Sequence, residues 1–219
     1  GWDSVFEYFK KSETNSNGVN NWRGGDGPLH VCDVSKDLHP LCQNFITAGE
    51  ECGLAFNSDF NGEKQDGVGY YQNTLKNGIR MSSARAYLWP ARKRSNVTVI
   101  KHALATRILF KNKTAIRIEY RQRGKTTRVL ASKEVILSSG SINTPQLLNL
   151  SGVGDAVALK NKNIEVIYDA PAVGQNMQDH LCIDFLYRSK VPTLNQQLNP
   201  FWGKAWYSLK YILSRRGPL

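Results

Sequence analysis

Val135-Ile136-Leu137-Ser138-Ser139-Gly140-Ser141, running on through Ile142 to Leu150, reads as a strand, a turn of small residues and a helix. The run Val135–Leu137, β-branched and apolar between polar neighbours, fits a strand buried on both faces. Ser138 to Ser141 bring small side chains and backbone N–H groups to a helix start, where a backbone approaches a phosphate or nucleotide closely. The helix itself is expected over Thr144–Leu150, with Pro145 suited to its first turn. Gly152-Val153-Gly154 then follows a helix rather than a strand, and Val157 stands where a third fingerprint glycine would fall. It is therefore not a dinucleotide fingerprint; glycines in left-handed conformation at a helix end account for it better.

Upstream of this unit the pattern is β-rich: Val97–Ile100, Ala105–Phe110, Thr114–Tyr120, Thr126–Ala131 and Glu134–Leu137 are successive expected strands. Downstream come a short helical piece, a strand at Ile164–Tyr168, a Gly-bearing turn at Ala172–Gln175 and a strand at Leu181–Tyr187. The flanks carry helices. Trp2–Glu13 has apolar residues at helical spacing, Pro40–Gly53 ends on a stop glycine, and Ser82–Leu88 is expected to stop at Trp89-Pro90. A polar loop (Thr14–Gly27) and strands at Pro28–Val34 and Gly67–Gln72 complete the first stretch. Phe201–Leu213 places Trp202, Trp206, Leu209 and Leu213 on one face of a basic amphipathic helix. Burial against the rest of the protein is the expected fate of that face, with peripheral membrane contact the alternative. The fold class is mixed, α+β or α/β, with a β-rich centre and helix-bearing flanks.

Composition narrows the function classes. The 219 residues hold 29 Lys and Arg against 18 Asp and Glu, a formal charge of +11, with 41% apolar residues. Five Trp, nine Tyr and eight Phe are enough to close a core, so disorder is excluded as the dominant state. No run of about eighteen apolar residues marks a membrane-spanning helix. No basic-then-apolar leader is seen, so a cytoplasmic or membrane-peripheral protein is expected. Basic residues gather at Arg92–Arg94, at Arg117, Arg121, Arg123, Lys125 and Arg128, and at Arg215 and Arg216. Such patches suit nucleic acid or anionic surfaces, but no helix-turn-helix, zinc-finger or RNP-type signature accompanies them, and a non-catalytic basic binding module is the alternative reading only. Cys32, Cys42 and Cys52 are ten apart, yet one helix over Pro40–Gly53 holds the last two roughly 15 Å apart, too far to bridge. His30, Cys32, His39 and Cys42 fit no closed zinc pattern.

A family resemblance rests on five ordered stretches. Gly140-Ser141-Ile142-Asn143-Thr144-Pro145-Gln146-Leu147-Leu148-Asn149-Leu150-Ser151-Gly152-Val153-Gly154 matches the second signature of the glucose–methanol–choline (GMC) flavoprotein oxidoreductases at every defined position. Gly174-Gln175-Asn176-Met177-Gln178-Asp179-His180 resembles the family's G-x-N-L-Q-D-H element, with Met for Leu. Asn21–Leu29, Gln65–Gln72 and the stretch from Asn77-Gly78 to Pro90-Ala91 are similar to three more landmarks. The bacterial choline dehydrogenases and their alcohol-dehydrogenase relatives are the members it resembles most.

The resemblance implies FAD as cofactor, an alcohol as substrate, and hydride transfer from its CH–OH carbon to the flavin. It implies the β-rich central part of an FAD-binding domain over residues 96–180, with residues 1–95 and 181–219 belonging to a substrate-binding region. Ala105 resembles the residue whose backbone meets the FAD adenine, Ser139 and Gly140 the small turn near the nucleotide, and Asn176 and Asp179 the element near the isoalloxazine end. Plain structural roles stand beside each: a strand residue, a turn glycine, a helix cap. Arg80 and Ser82 border the expected substrate region. The family's opening strand–G-x-G-x-x-G–helix unit has no match in these residues, nor has its closing segment with the catalytic His, so no catalytic residue is assigned and His180 is expected to be structural. The implied partners are the alcohol and the remainder of the same polypeptide; nucleic acid is not expected, and neither is FAD retention by this stretch alone. The Asn-x-Ser/Thr triplets at Asn96, Asn112 and Asn149 are expected to be chance.

Overall fold

The computed structural model describes residues 1–215 and Gly217, so Arg216 lies outside the described residues. It separates into two compact units, Gly1–Thr98 with Leu186–Leu219, and Val99–Phe185.

The first unit opens with α1 (Trp2–Ser12), whose Asp3 and Lys10–Lys11 sit at the ends that the helix dipole favours. Trp2 packs on Phe6 and Phe9, with ring centroids 5.2 and 5.8 Å apart, and Phe6 on Trp22. The expected loop at Thr14 instead begins as β1 (Glu13–Asn15), which pairs in parallel with β2 (Leu29–Val31). The physical reason is Gly27: a Cβ there would lie 2.2 Å from the Ser12 carbonyl carbon, so only glycine lets the backbones meet. Arg23, 6% exposed, locks the intervening loop. Its Nε donates to Asp59 Oδ2 at 2.8 Å and its Nη1 to Glu13 Oε2 at 3.1 Å. Burial alone would lower the Arg23 pKa, but the Asp59 hydrogen bond and the Glu13 and Asp59 charges outweigh it and raise it.

After a 3₁₀ turn at Ser35–Asp37, α2 (Leu41–Glu51) ends before Gly53, whose φ of +89° reverses the chain. Gly67–Gln72 does not form the expected strand. Within it a single bridge forms, Phe56↔Val68, and a second, Cys32↔Asn73, lies just beyond. Gly69 approaches Asn57 so closely that a Cβ would lie 1.9 Å from its carbonyl oxygen, and this bend breaks a continuous ladder. A tight hairpin follows, β3 (Leu75–Lys76) and β4 (Ile79–Arg80), with Asn77 and Gly78 both at positive φ as a type I′ turn requires. The helix expected to stop at Trp89-Pro90 runs through it: a π turn at Ala84–Leu88 passes into α3 (Trp89–Ala91). Pro90 has no N–H to give, and the Trp89 N–H reaches back five residues to the Ala84 carbonyl.

The second unit is built on the antiparallel meander β5 (Leu104–Lys111), β6 (Thr114–Gln122) and β7 (Lys125–Leu130). Arg123 and Gly124, both at positive φ, make the tight β6–β7 turn. Then come α4 (Gly140–Leu150), β8 (Val153–Gly154), α5 (Ala156–Asn161) and β9 (Tyr168–Asp169), the last parallel to β8. Asp155 caps α5, its Oδ1 accepting the Ala158 N–H at 2.7 Å. Buried Ile108, Leu147 and Leu159 form the core.

Several expected strands are not formed here. Val97–Ile100 is irregular, with His102 at φ +54° just beyond it. Val135–Leu137 forms no strand, and Ile136 is 77% exposed. Ile164–Tyr168 contributes only Tyr168 to a ladder, and Leu181–Tyr187 forms none, with Leu186 97% exposed. Apolar β-branched runs need a neighbouring strand to take their N–H and C=O groups. α4 starts four residues earlier than expected, which makes Pro145 an interior residue rather than a first-turn one.

The chain then returns to the first unit with α6 (Leu194–Leu198), opened by a Thr193/Gln196 capping box, and α7 (Phe201–Ser214). Burial of the Trp202, Trp206, Leu209 and Leu213 face is not what the structure shows. The opposite face is covered instead. Tyr207 donates to Gln197 Oε1 at 2.7 Å and Tyr211 to the Gly78 carbonyl at 2.8 Å, while Gly203 lets the backbone meet Gln197.

Candidate functional site

Within the second unit, the meander, the segment 134–137 and the residues around the start of α4 line an open cleft of about 370 Å³. Ala105, Ile118, Val129, Val135 and Leu147 make it apolar, and Ser139 stands at its rim. Two residues singled out from sequence, 34 positions apart, thus meet at one cavity. Ala105 sits beside a β-bulge, where the β5–β6 register slips between Ala105 and Arg107. Bulges re-aim a strand, and this one is braced: Thr106 Oγ1 donates to Glu119 Oε1 at 3.0 Å. The other Glu119 oxygen accepts from Arg128 Nε at 2.9 Å. These hydrogen bonds, from Arg128 first and then Thr106, hold the Glu119 carboxyl below its usual pKa.

Ser139 precedes α4 and makes no side-chain cap, and first-turn N–H groups have no partner inside a helix. Its own N–H donates to Thr144 Oγ1 at 3.1 Å, which fixes the turn. Gly140 has φ +85° and open space where a Cβ would stand, so conformation rather than crowding calls for glycine. Asn176, also at positive φ, lies elsewhere, in a second cleft of about 560 Å³ with Ser141, Thr144, Pro145 and Met177. Both clefts reach the start of α4, the first through Ser139 and the second through Ser141 and Thr144. Asp179 lines neither. Its carboxylate accepts the adjacent His180 N–H at 2.8 Å in an irregular segment, so its reading as a helix cap is corrected: no helix follows it. Arg80 lies in β4, and Ser82 Oγ accepts the Arg85 N–H at 3.3 Å in the first unit.

Ser151, 1% exposed and given no role from sequence, ties the end of α4 to β5. Its Oγ donates to Leu147 O at 2.6 Å and accepts the Ile108 N–H at 2.8 Å. Its place inside the Gly140–Gly154 signature was the signal the sequence carried. Gly152 and Gly154 also differ from one another. Gly152 is left-handed at φ +88°, whereas Gly154 lies in β8, where a Cβ would stand 2.0 Å from Asn149 Oδ1. Among the described residues no three His, Cys, Asp or Glu side chains gather to hold a metal.

A meander packed on a helix, with an apolar slot beside a small-residue turn, is a geometry for seating a nucleotide cofactor at a helix start. Residues 1–182 match the family model described as GMC oxidoreductase, and the chain belongs to that family. An oxygen-dependent choline dehydrogenase of Vibrio vulnificus (strain YJ016) is 42% identical over 99% of this chain and 39% of its own length. An alcohol dehydrogenase (acceptor) of Pseudomonas putida is 48% identical over 99% of this chain and 40% of its own. An FAD-dependent oxidoreductase from Chaetomium thermophilum superimposes with a TM-score of 0.89 at 30% identity, over 99% of this chain and 40% of that one. The chain thus spans about two fifths of the length of the curated relatives it matches. None of these relatives' names speaks for nucleic-acid binding.

Proposed function

We propose that this chain supplies part of an FAD-dependent oxidoreductase that takes hydride from the CH–OH carbon of a primary alcohol, choline-like or related. The observation that carries the reading is the meeting of Ala105 and Ser139 at one apolar cleft beside the start of α4. At about 370 Å³ it is near the lower end of the roughly 300–1,000 Å³ typical of small-molecule sites. That suits the adenosine end of FAD and not the whole cofactor. In this proposal the Ala105 backbone borders the adenine, Ser139 and Gly140 form the small turn near the nucleotide, and Asn176 and Asp179 lie toward the flavin end.

Bound FAD would supply the hydride acceptor. The chain's own part is to seat and orient one end of it. No proton-accepting role is assigned to His180, which is exposed in an irregular segment. The second unit, Val99–Phe185, belongs to the cofactor side in this reading, and Gly1–Thr98 with Leu186–Leu219 to the substrate side. The remainder of a longer polypeptide would supply the pyrophosphate turn and the proton acceptor.

The test is spectroscopic. The complete polypeptide that carries this chain is expected to be yellow, absorbing between about 350 and 500 nm as flavins do, and to bleach on anaerobic addition of a primary alcohol. The 219 residues alone are expected to be colourless. A complete polypeptide without flavin, or one indifferent to every alcohol offered, would overturn the reading.

A further inference from the structure

Asn57-Ser58-Asp59-Phe60-Asn61-Gly62 has the spacing of the opening half of a calcium loop, with side-chain oxygens at alternate positions and then glycine. The chain is wound accordingly. Asn57 Oδ1 accepts the Asp59 N–H at 2.8 Å, and Asp59 Oδ1 accepts the Asn61 N–H at 3.0 Å. Two features turn a metal away. Val68, 5% exposed, stands where the closing bidentate Glu of such a loop would be. Asn57 also closes the loop on itself, its Nδ2 donating to the Lys64 and Asp66 carbonyls at 2.8 and 3.1 Å.

The cation that meets this loop is Arg23, whose side chain is 7% exposed. Its Nε and Nη2 donate to the two oxygens of Asp59, and its Nη1 donates to Glu13 Oε2. Nη2 also reaches Gln72 Oε1 at 3.5 Å. A second contact orients two of these acceptors. Buried Asn15 donates through Nδ2 to Glu13 Oε1 at 2.7 Å and to Gln72 Oε1 at 2.8 Å. The backbone of Arg23 is placed as well, its N–H donating to Asn20 Oδ1 at 2.9 Å. Next to it, Gly24 lies so close to the end of α1 that a Cβ would stand 1.8 Å from the Lys10 carbonyl oxygen. Stretches far apart in sequence thus converge on one planar cation. All of these contacts lie inside one compact unit, so they do not depend on what covers its surface.

We propose that Asp59, Glu13 and Gln72 form a cradle selective for a guanidinium ion, which Arg23 fills from within the chain. A forked planar cation meets two carboxylates and an amide oxygen at once, and neither an ammonium nor a spherical metal ion reproduces that fork. None of these groups has a part in the proposed redox chemistry. The experiment is thermal melting of the complete polypeptide. Arg23→Ala, which empties the cradle, is expected to lower the melting temperature by at least roughly 3 °C. About 20 mM guanidinium chloride, far below denaturing concentrations, is expected to return at least about half of that loss in the variant and to add nothing to the wild type. Sodium chloride and calcium chloride at the same ionic strength are expected to return none of it. Arg23→Lys is expected to melt closer to Arg23→Ala than to the wild type. Recovery by calcium in place of guanidinium overturns the proposal and identifies a metal loop that Arg23 blocks. So does an alanine variant indifferent to guanidinium, or a lysine variant as stable as the wild type. Where Arg23→Ala gives no folded protein, Arg23→Lys decides: a loss of stability supports the cradle, and wild-type stability overturns it.

Discussion

Ser151 carries the clearest single-residue consequence. Its hydroxyl is the partner of the Ile108 N–H in the middle of β5 and is itself 1% exposed with its residue. Ser151→Ala leaves that N–H buried and unpaired, which costs about 1–3 kcal/mol. Chemical denaturation of the wild-type and variant chains is expected to show that loss, and no loss would remove Ser151 from the frame. Glu119 makes a different, pH-dependent contribution. Its folded pKa lies below the unfolded value, so its stabilisation is present above about pH 4.3. It is lost as pH falls through the lower folded value. Stability measured from pH 6 to pH 3 is expected to fall less steeply in Glu119→Gln, roughly by one carboxylate's share. Residues of this kind were only half legible. Ala105 and Ser139 could be named from sequence, but the bulge that sets Ala105 and the hydroxyl that braces it depend on residues far apart in the chain.

Among the elements, those specified by local chemistry were readable and those specified by neighbours were not. The Asn77-Gly78 and Arg123-Gly124 turns need positive φ, and glycine in the second place of each announces it. α1, α2 and α7 show their period and end near the expected residues. By contrast Val135–Leu137 and Leu181–Tyr187 have strand composition but form no strand, because composition cannot say whether a neighbouring strand is present. Hydrogen exchange separates the two kinds. Amides of β6, paired on both sides, are expected to exchange slowly in the 219-residue chain. Those of residues 134–138 are expected to exchange nearly as fast as an unfolded peptide, and protection of that segment would show a pairing that the structure lacks.

The whole molecule exposes 17632 Å². Two compact bodies of these sizes would expose only roughly 12,000 Å² in total. Large apolar residues contribute to it: Leu181, Ile183, Phe185 and Leu186 are 69% exposed or more, and among the described residues only six non-glycine apolar residues are buried. Such a surface asks for a cover, which fits a segment working inside a polypeptide of the length its relatives have. It also explains why one cleft here suits only one end of a cofactor. The claim at stake is that this cleft seats the adenosine end of FAD, and the ratio of flavin to protein in the purified complete polypeptide measures it. With Ala105→Trp filling the slot, that ratio is expected to drop to roughly a tenth of wild type or below, while the β-sheet circular dichroism stays unchanged. An Ala105→Trp protein that keeps its full complement of flavin would contradict the assignment.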